Sequence, residues 1–183
     1  MKKIVGLMLL CLSTFYMLAQ DNYTTQLEGA MKTKNSLFKQ EIFSVENIPA
    51  FRVDAVKVTD LEKFNIVTGC RIVQKLQFGK ELKTFNNFID KDEIEQVVTA
   101  LQYMKTIVKS KTIPASYTEI KFNTKAGFQV MLLTVLDDFK KLTWSFMVQT
   151  NLNEEKTLVT LPLTDIDKLQ AAFEQAKVKL QFK

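Results

Sequence analysis

The chain of 183 residues contains no histidine. That absence removes Ser-His-Asp and Cys-His nucleophiles, imidazole zinc sites and the histidine proton shuttle. Cysteine is nearly missing as well. Cys11 and Cys70 are the only two, too few for a four-thiolate metal site or a disulfide framework. Arginine is scarce in its turn: among 25 basic residues only Arg52 and Arg71 are arginines. Bidentate phosphate contacts and base-edge readout favour Arg over Lys, so a nucleic-acid partner is not expected. No cofactor motif appears, and no cofactor is expected. What remains is ordinary. A composition 46% hydrophobic and 25% charged belongs to a globular protein, and the length suits one domain.

The first twenty residues read as an address label. Met1-Lys2-Lys3 is a short basic start, Ile4–Leu12 is an apolar run, and Asp21 is the first acid. A basic start followed by an apolar core of this length predicts a secretory signal peptide over 1–20, cleaved near Ala19 or Gln20. The run is too short for a membrane-spanning helix, which needs about 20 apolar residues, so no integral membrane segment is expected after cleavage. Leu9 and Leu10 stand before Cys11, where lipidation would call for a small residue. The expected location is the periplasm or the cell exterior. Removal of Lys2 and Lys3 lowers the net charge from +5 to +3, a solubility feature and not a nucleic-acid footprint. Cys70 is then left without a partner, so the fold must rest on its core.

After a polar lead-in over 21–36, where Leu27, Ala30 and Met31 share one face of a possible short helix, a single α+β domain is predicted over 37–183. Its pattern is two runs of about four antiparallel strands, each followed by an amphipathic helix, ββββα-ββββα. The strand 64–78 alternates with period two: Phe64, Ile66, Thr68, Cys70, Ile72, Gln74, Leu76 and Phe78 on one side, Gly69, Arg71, Lys75 and Gln77 on the other. Such alternation marks a sheet with one buried face. Gly69 inside it predicts a bulge or a close backbone approach. Asp90 with Glu93 has the spacing of a capping box, and Ile94, Val97, Val98, Leu101, Met104, Ile107 and Val108 form one apolar helical stripe. In the second run, Phe128–Leu136 is apolar on both sides. Leu142, Trp144, Phe146 and Val148 alternate with Thr143, Ser145, Met147 and Gln149. The last helix starts at Thr164 or Asp165 and buries Ile166, Leu169, Ala172, Phe173, Ala176 and Leu180.

The candidate catalytic groups have simpler structural explanations. Asp90, Asp92, Glu93 and Glu95 suit the positive end of a helix dipole and lack the glycine and ligand spacing of a calcium loop. Asp137-Asp138 reads as a solvated hairpin tip. Cys70 falls on the predicted core face. Ser36 and Lys39 match a Ser-x-x-Lys spacing, but at the start of a strand residues three apart point to opposite sides. No catalytic or metal-binding residue is therefore assigned. The two-sided apolarity of Phe128–Leu136 requires a cover on each side: packing within the molecule, a partner, or a ligand. The face expected to meet a ligand or partner comprises Met131, Leu133, Val135, Trp144 and Met147.

The stretches Phe88–Met104 and Tyr117–Phe128, with a Trp strand after them, resemble motifs of uncharacterised secreted proteins of the Bacteroidota, and the leader with its Leu-Ala-Gln ending looks like theirs. That resemblance implies a fold and an exported location, and no activity. The function expected is a non-enzymatic secreted or periplasmic domain binding a small apolar ligand or a protein partner. The alternatives are an envelope structural or assembly role, or a carboxylate-dependent hydrolase.

Overall fold

A computed structural model describes residues 23–181; the signal-peptide reading of 1–20 lies outside them. The elements run α1 (Gln26–Lys32), β1 (Phe38–Ile48), β2 (Phe51–Asp60), β3 (Ile66–Phe78), β4 (Glu81–Asp90), α2 (Lys91–Ser110), β5 (Glu119–Asn123), β6 (Gln129–Leu136), β7 (Leu142–Gln149), β8 (Leu158–Leu161) and α3 (Asp165–Gln181). Two antiparallel four-stranded sheets result, ordered β1-β2-β3-β4 and β5-β6-β7-β8. A long helix follows each sheet, so the α+β class and the ββββα-ββββα order stand.

The period-two pattern explains which faces close. In β2, Val53 and Ala55 face inward; in β3, Cys70 and Ile72 pair opposite them, each fully buried. From the second sheet, Val130, Leu132, Trp144, Phe146 and Val148 join the same core, as do the apolar stripes of α2 and α3. Phe128 and Phe173 meet edge to face with ring centroids 5.8 Å apart, a favoured aromatic geometry. Lys105 pairs with Asp167 and Lys177 with Glu95, so the N-terminal part of each long helix lies beside the C-terminal part of the other. The two helices are antiparallel.

The structure corrects the sequence reading at Phe64 and at Asp90 with Glu93, and sharpens it at β1, α1 and Gly69. Alternation in β1 is imperfect because the register with β2 shifts between Ser44 and Glu46, a bulge. Phe64 does not join the buried face of β3: it sits in the preceding turn at φ 57° and is 77% exposed. The short helix expected of Leu27, Ala30 and Met31 forms as α1. Thr25 and Glu28 form a capping box on α1, and Leu27 is fully buried against Val56 and Val58 on the outer face of the first sheet. Gly69 gives α1 its seat. A Cβ there would lie 2.3 Å from the Ile89 carbonyl oxygen and 2.6 Å from Leu27 Cδ1, so the close approach expected of this glycine is to Ile89 in the neighbouring strand and to α1.

Asp90 supplies the second correction. It precedes α2 but makes no side-chain cap there. Its Oδ2 accepts from the Gln26 N–H at 3.0 Å and its Oδ1 from the Leu27 N–H at 3.4 Å. Those are the first free amides of α1, where helix geometry leaves donors unpaired. Glu93 likewise turns away from its own helix start and accepts from the Lys125 N–H at 2.7 Å. The two carboxylates thus tie α1 and the β5–β6 turn to the start of α2.

Candidate functional site

The residues expected to form one ligand or partner face divide between two faces. Strand pairing sets Met131 opposite Met147, Leu133 opposite Ser145 and Val135 opposite Thr143, so Met131, Leu133, Val135 and Met147 share the outer face of the second sheet. Trp144 pairs with Thr134 on the other face. It packs in the core, and its indole Nε1 donates to the Thr112 carbonyl at 2.9 Å. Trp144 therefore leaves the candidate face. Met131 (6% exposed) and Leu133 (9%) are well shielded, yet the four outward residues belong to neither hydrophobic cluster. Their neighbours in the sheet are mixed: Glu119 and Lys121 on β5, Ser145 and Thr143 on β7, Thr160 on β8.

A second feature lies at the edge of this sheet. Thr99, Ala100, Tyr103 and Met104 of α2 and Ile120 and Phe122 of β5 line an open groove of about 460 Å³. Residues 96, 99, 100 and 103 come together because side chains three and four apart share one side of a helix. Ile120 and Phe122 come together because residues two apart share one side of a strand. The exposed lining is mainly apolar, and Glu95, Gln96 and Lys121 also contribute to it. Tyr103 stands 60% exposed.

The groove borders an unpaired strand edge. Among the described residues β5 bonds to β6 alone. The Thr134 N–H donates to the Thr118 carbonyl and the Thr124 N–H to the Phe128 carbonyl, so the even-numbered residues of β5 direct their backbone groups at β6. Those of Glu119, Lys121 and Asn123 point away, and among the described residues none of them has a backbone partner. All three residues are exposed. Their side chains lie on the outer face, where Lys121 pairs with Glu119 and Glu119 accepts from the Tyr117 hydroxyl.

The other groups weighed for chemistry are buried or held in structural contacts. Asp54 is fully buried, and both arginines of the chain serve it: Arg52 Nε lies 2.8 Å from Oδ1 and Arg71 Nη2 2.7 Å from Oδ2. Paired guanidinium groups are what a buried carboxylate requires. Burial, with the nearby Asp54 charge, pushes the Cys70 thiol far above its ordinary pKa; a protonated, enclosed thiol is a poor nucleophile. Ser36 donates to Asp60 at 3.4 Å while Lys39 pairs with Glu41, so the Ser-x-x-Lys residues do not meet. Asp137 closes the hairpin tip by accepting from the Phe139 and Lys141 amides. Among the described residues no three Asp, Glu or Cys side chains converge to hold a metal, and no helix is long and apolar enough to cross a membrane.

Sequence reading missed the groove. Met104 belongs to the apolar stripe of α2, which by itself reads as core. That α2 stops short of covering β5 depends on how distant elements pack. The chain matches no protein-family model, no curated protein and no solved structure.

Proposed function

We propose that this protein is an exported, non-enzymatic binding domain, released by cleavage near Ala19 or Gln20, that accepts an apolar group in the groove between α2 and β5. The observation that carries this reading is an open apolar groove beside three residues whose backbone donors and acceptors have no partner among the described residues. A protein segment satisfies both features at once: its side chains enter the groove while its backbone pairs with β5. A small apolar ligand would use the groove alone. Three further observations support a non-enzymatic role. Histidine is absent from the whole chain, Cys70 is buried, and the buried carboxylates Asp54, Asp90 and Glu93 accept structural hydrogen bonds or ion pairs.

A second reading places an assembly partner on the outer strip of Met131, Leu133, Val135 and Met147, which stands outside both hydrophobic clusters. One measurement separates the two. Anilinonaphthalene sulfonate fluorescence, titrated on dilute folded protein, is expected to rise on binding, to be lost in Ala100→Arg and to persist in Met131→Asp. The opposite pattern moves the site to the outer strip. No enhancement in any form overturns both readings.

A further inference from the structure

Strand β5 carries alternating charges on its free side: Glu119, Lys121 and then neutral Asn123. An antiparallel strand added to this edge must pair outward-pointing residues with outward-pointing residues. If that strand is a second β5, three two-fold registers are centred on the interior residues. Centring on Lys121 sets that lysine against its own copy. Centring on Phe122 sets Lys121 against Asn123. Centring on Ile120 sets Glu119 against Lys121 of the second copy, and the two-fold repeats the pair in reverse. Opposite charges directly across a strand pair stabilise it, and like charges destabilise it.

We infer that the occupant of this edge is a second copy of the chain, joined β5 to β5 in the antiparallel register centred on Ile120, so that the two four-stranded sheets become one sheet of eight. The inference rests on reading the groove and edge as the binding surface, and it names the partner. Two Glu119–Lys121 pairs form on the outer face. On the groove side the two Ile120 side chains meet at the axis, in the non-hydrogen-bonded position where side chains approach most closely. Apolar surface at Phe122 and Tyr103 is then covered from across the axis. Charge complementarity selects the second copy over an arbitrary peptide: within Glu119–Asn123 the edge is its own complement in this register and not in the other two. A lysine on an edge strand commonly guards against uncontrolled pairing. Here it admits one register and penalises the one centred on itself.

The test is charge reversal with reciprocal mixing, read by sedimentation of the purified full-length secreted form, with circular dichroism confirming that each variant is folded. The wild type is expected to dimerise. Glu119→Lys and Lys121→Glu are each expected to weaken the dimer roughly tenfold or more, because both pairs change from attraction to repulsion. An equimolar mixture of the two variants is expected to form a heterodimer, since each then supplies the charges the other lacks. A monomeric wild type overturns the inference. So does a dimer indifferent to both variants, or a mixture that stays monomeric. Dye binding to monomeric Glu119→Lys reports separately on the groove. Its presence beside a monomeric wild type sinks the second copy alone, and its absence sinks the groove reading too.

Discussion

On the first sheet, Val56 and Val58 of the central strand β2 turn outward and meet Leu27 of α1. On the second, Met131 and Leu133 of the central strand β6 turn outward and meet the side chains of their own sheet. Both pairs are scarcely exposed, but for different reasons. The first is sealed by a layer: Leu27 drops into the recess that Gly69 leaves open. The second is screened from the side by longer or polar neighbours, among them Lys121 of β5, whose methylene stem can lie along apolar surface while its ammonium stays in water. A low exposure therefore does not by itself mean a core position. The distinction matters because the second surface lies one strand in from the open edge of β5.

Substitutions that treat the two faces of one strand unequally should show the largest effect. Leu132 is fully buried in the core and Leu133 is its outward neighbour. Leu132→Asp is expected to abolish the folded state, a loss of more than about 4 kcal/mol, because it buries an unpaired charge. Leu133→Asp is expected to stay folded at a cost of about 1–2 kcal/mol, since its carboxylate can reach water. Urea unfolding checks both. Equal losses would mean that the outer strip is core after all.

The seal on the first sheet should be the next most sensitive. Gly69→Ala forces a methyl group against the Ile89 carbonyl oxygen and Leu27 Cδ1, and should cost about 2–3 kcal/mol with α1 displaced. Hydrogen exchange would report it as faster exchange over 26–32 with β6 and β7 unchanged. Protection that stays uniform would show that α1 is not held through this recess.

The smallest effect belongs to the helix anchor. Asp90→Asn keeps the shape but replaces a carboxylate that accepts from two α1 amides. The expected cost is about 1–2 kcal/mol, again confined to α1 in exchange. A loss of helicity in α2 instead would restore the local capping role that the Asp90–Glu93 spacing first implied.

Much of the fold was legible in the chain because sheet and helix impose different periods on apolar residues. The order of eight strands and two long helices, the inward set of Cys70 and Ile72, the close approach at Gly69 and the hairpin tip at Asp137 all follow from local pattern. The errors have two causes, one tertiary and one local. Asp90 and Glu93 have the spacing of a cap, yet each finds a better partner from a distant segment. Trp144 was grouped with the outer residues although its strand register places it inward. The candidate site was the least legible part. Its walls come from α2 and β5, and the gap between them has no local signature.

Composition and periodicity by themselves determined the class of this protein, its two ββββα runs and the absence of imidazole chemistry, because these depend on residue type and spacing along the chain. The tertiary structure alone decided which apolar faces are covered, where Asp90 and Glu93 spend their hydrogen bonds, and that β5 keeps an open edge beside a groove. Those outcomes depend on the distances between segments far apart in sequence. Which donor meets which acceptor, and which side chain finds a neighbour, is settled only when the segments pack.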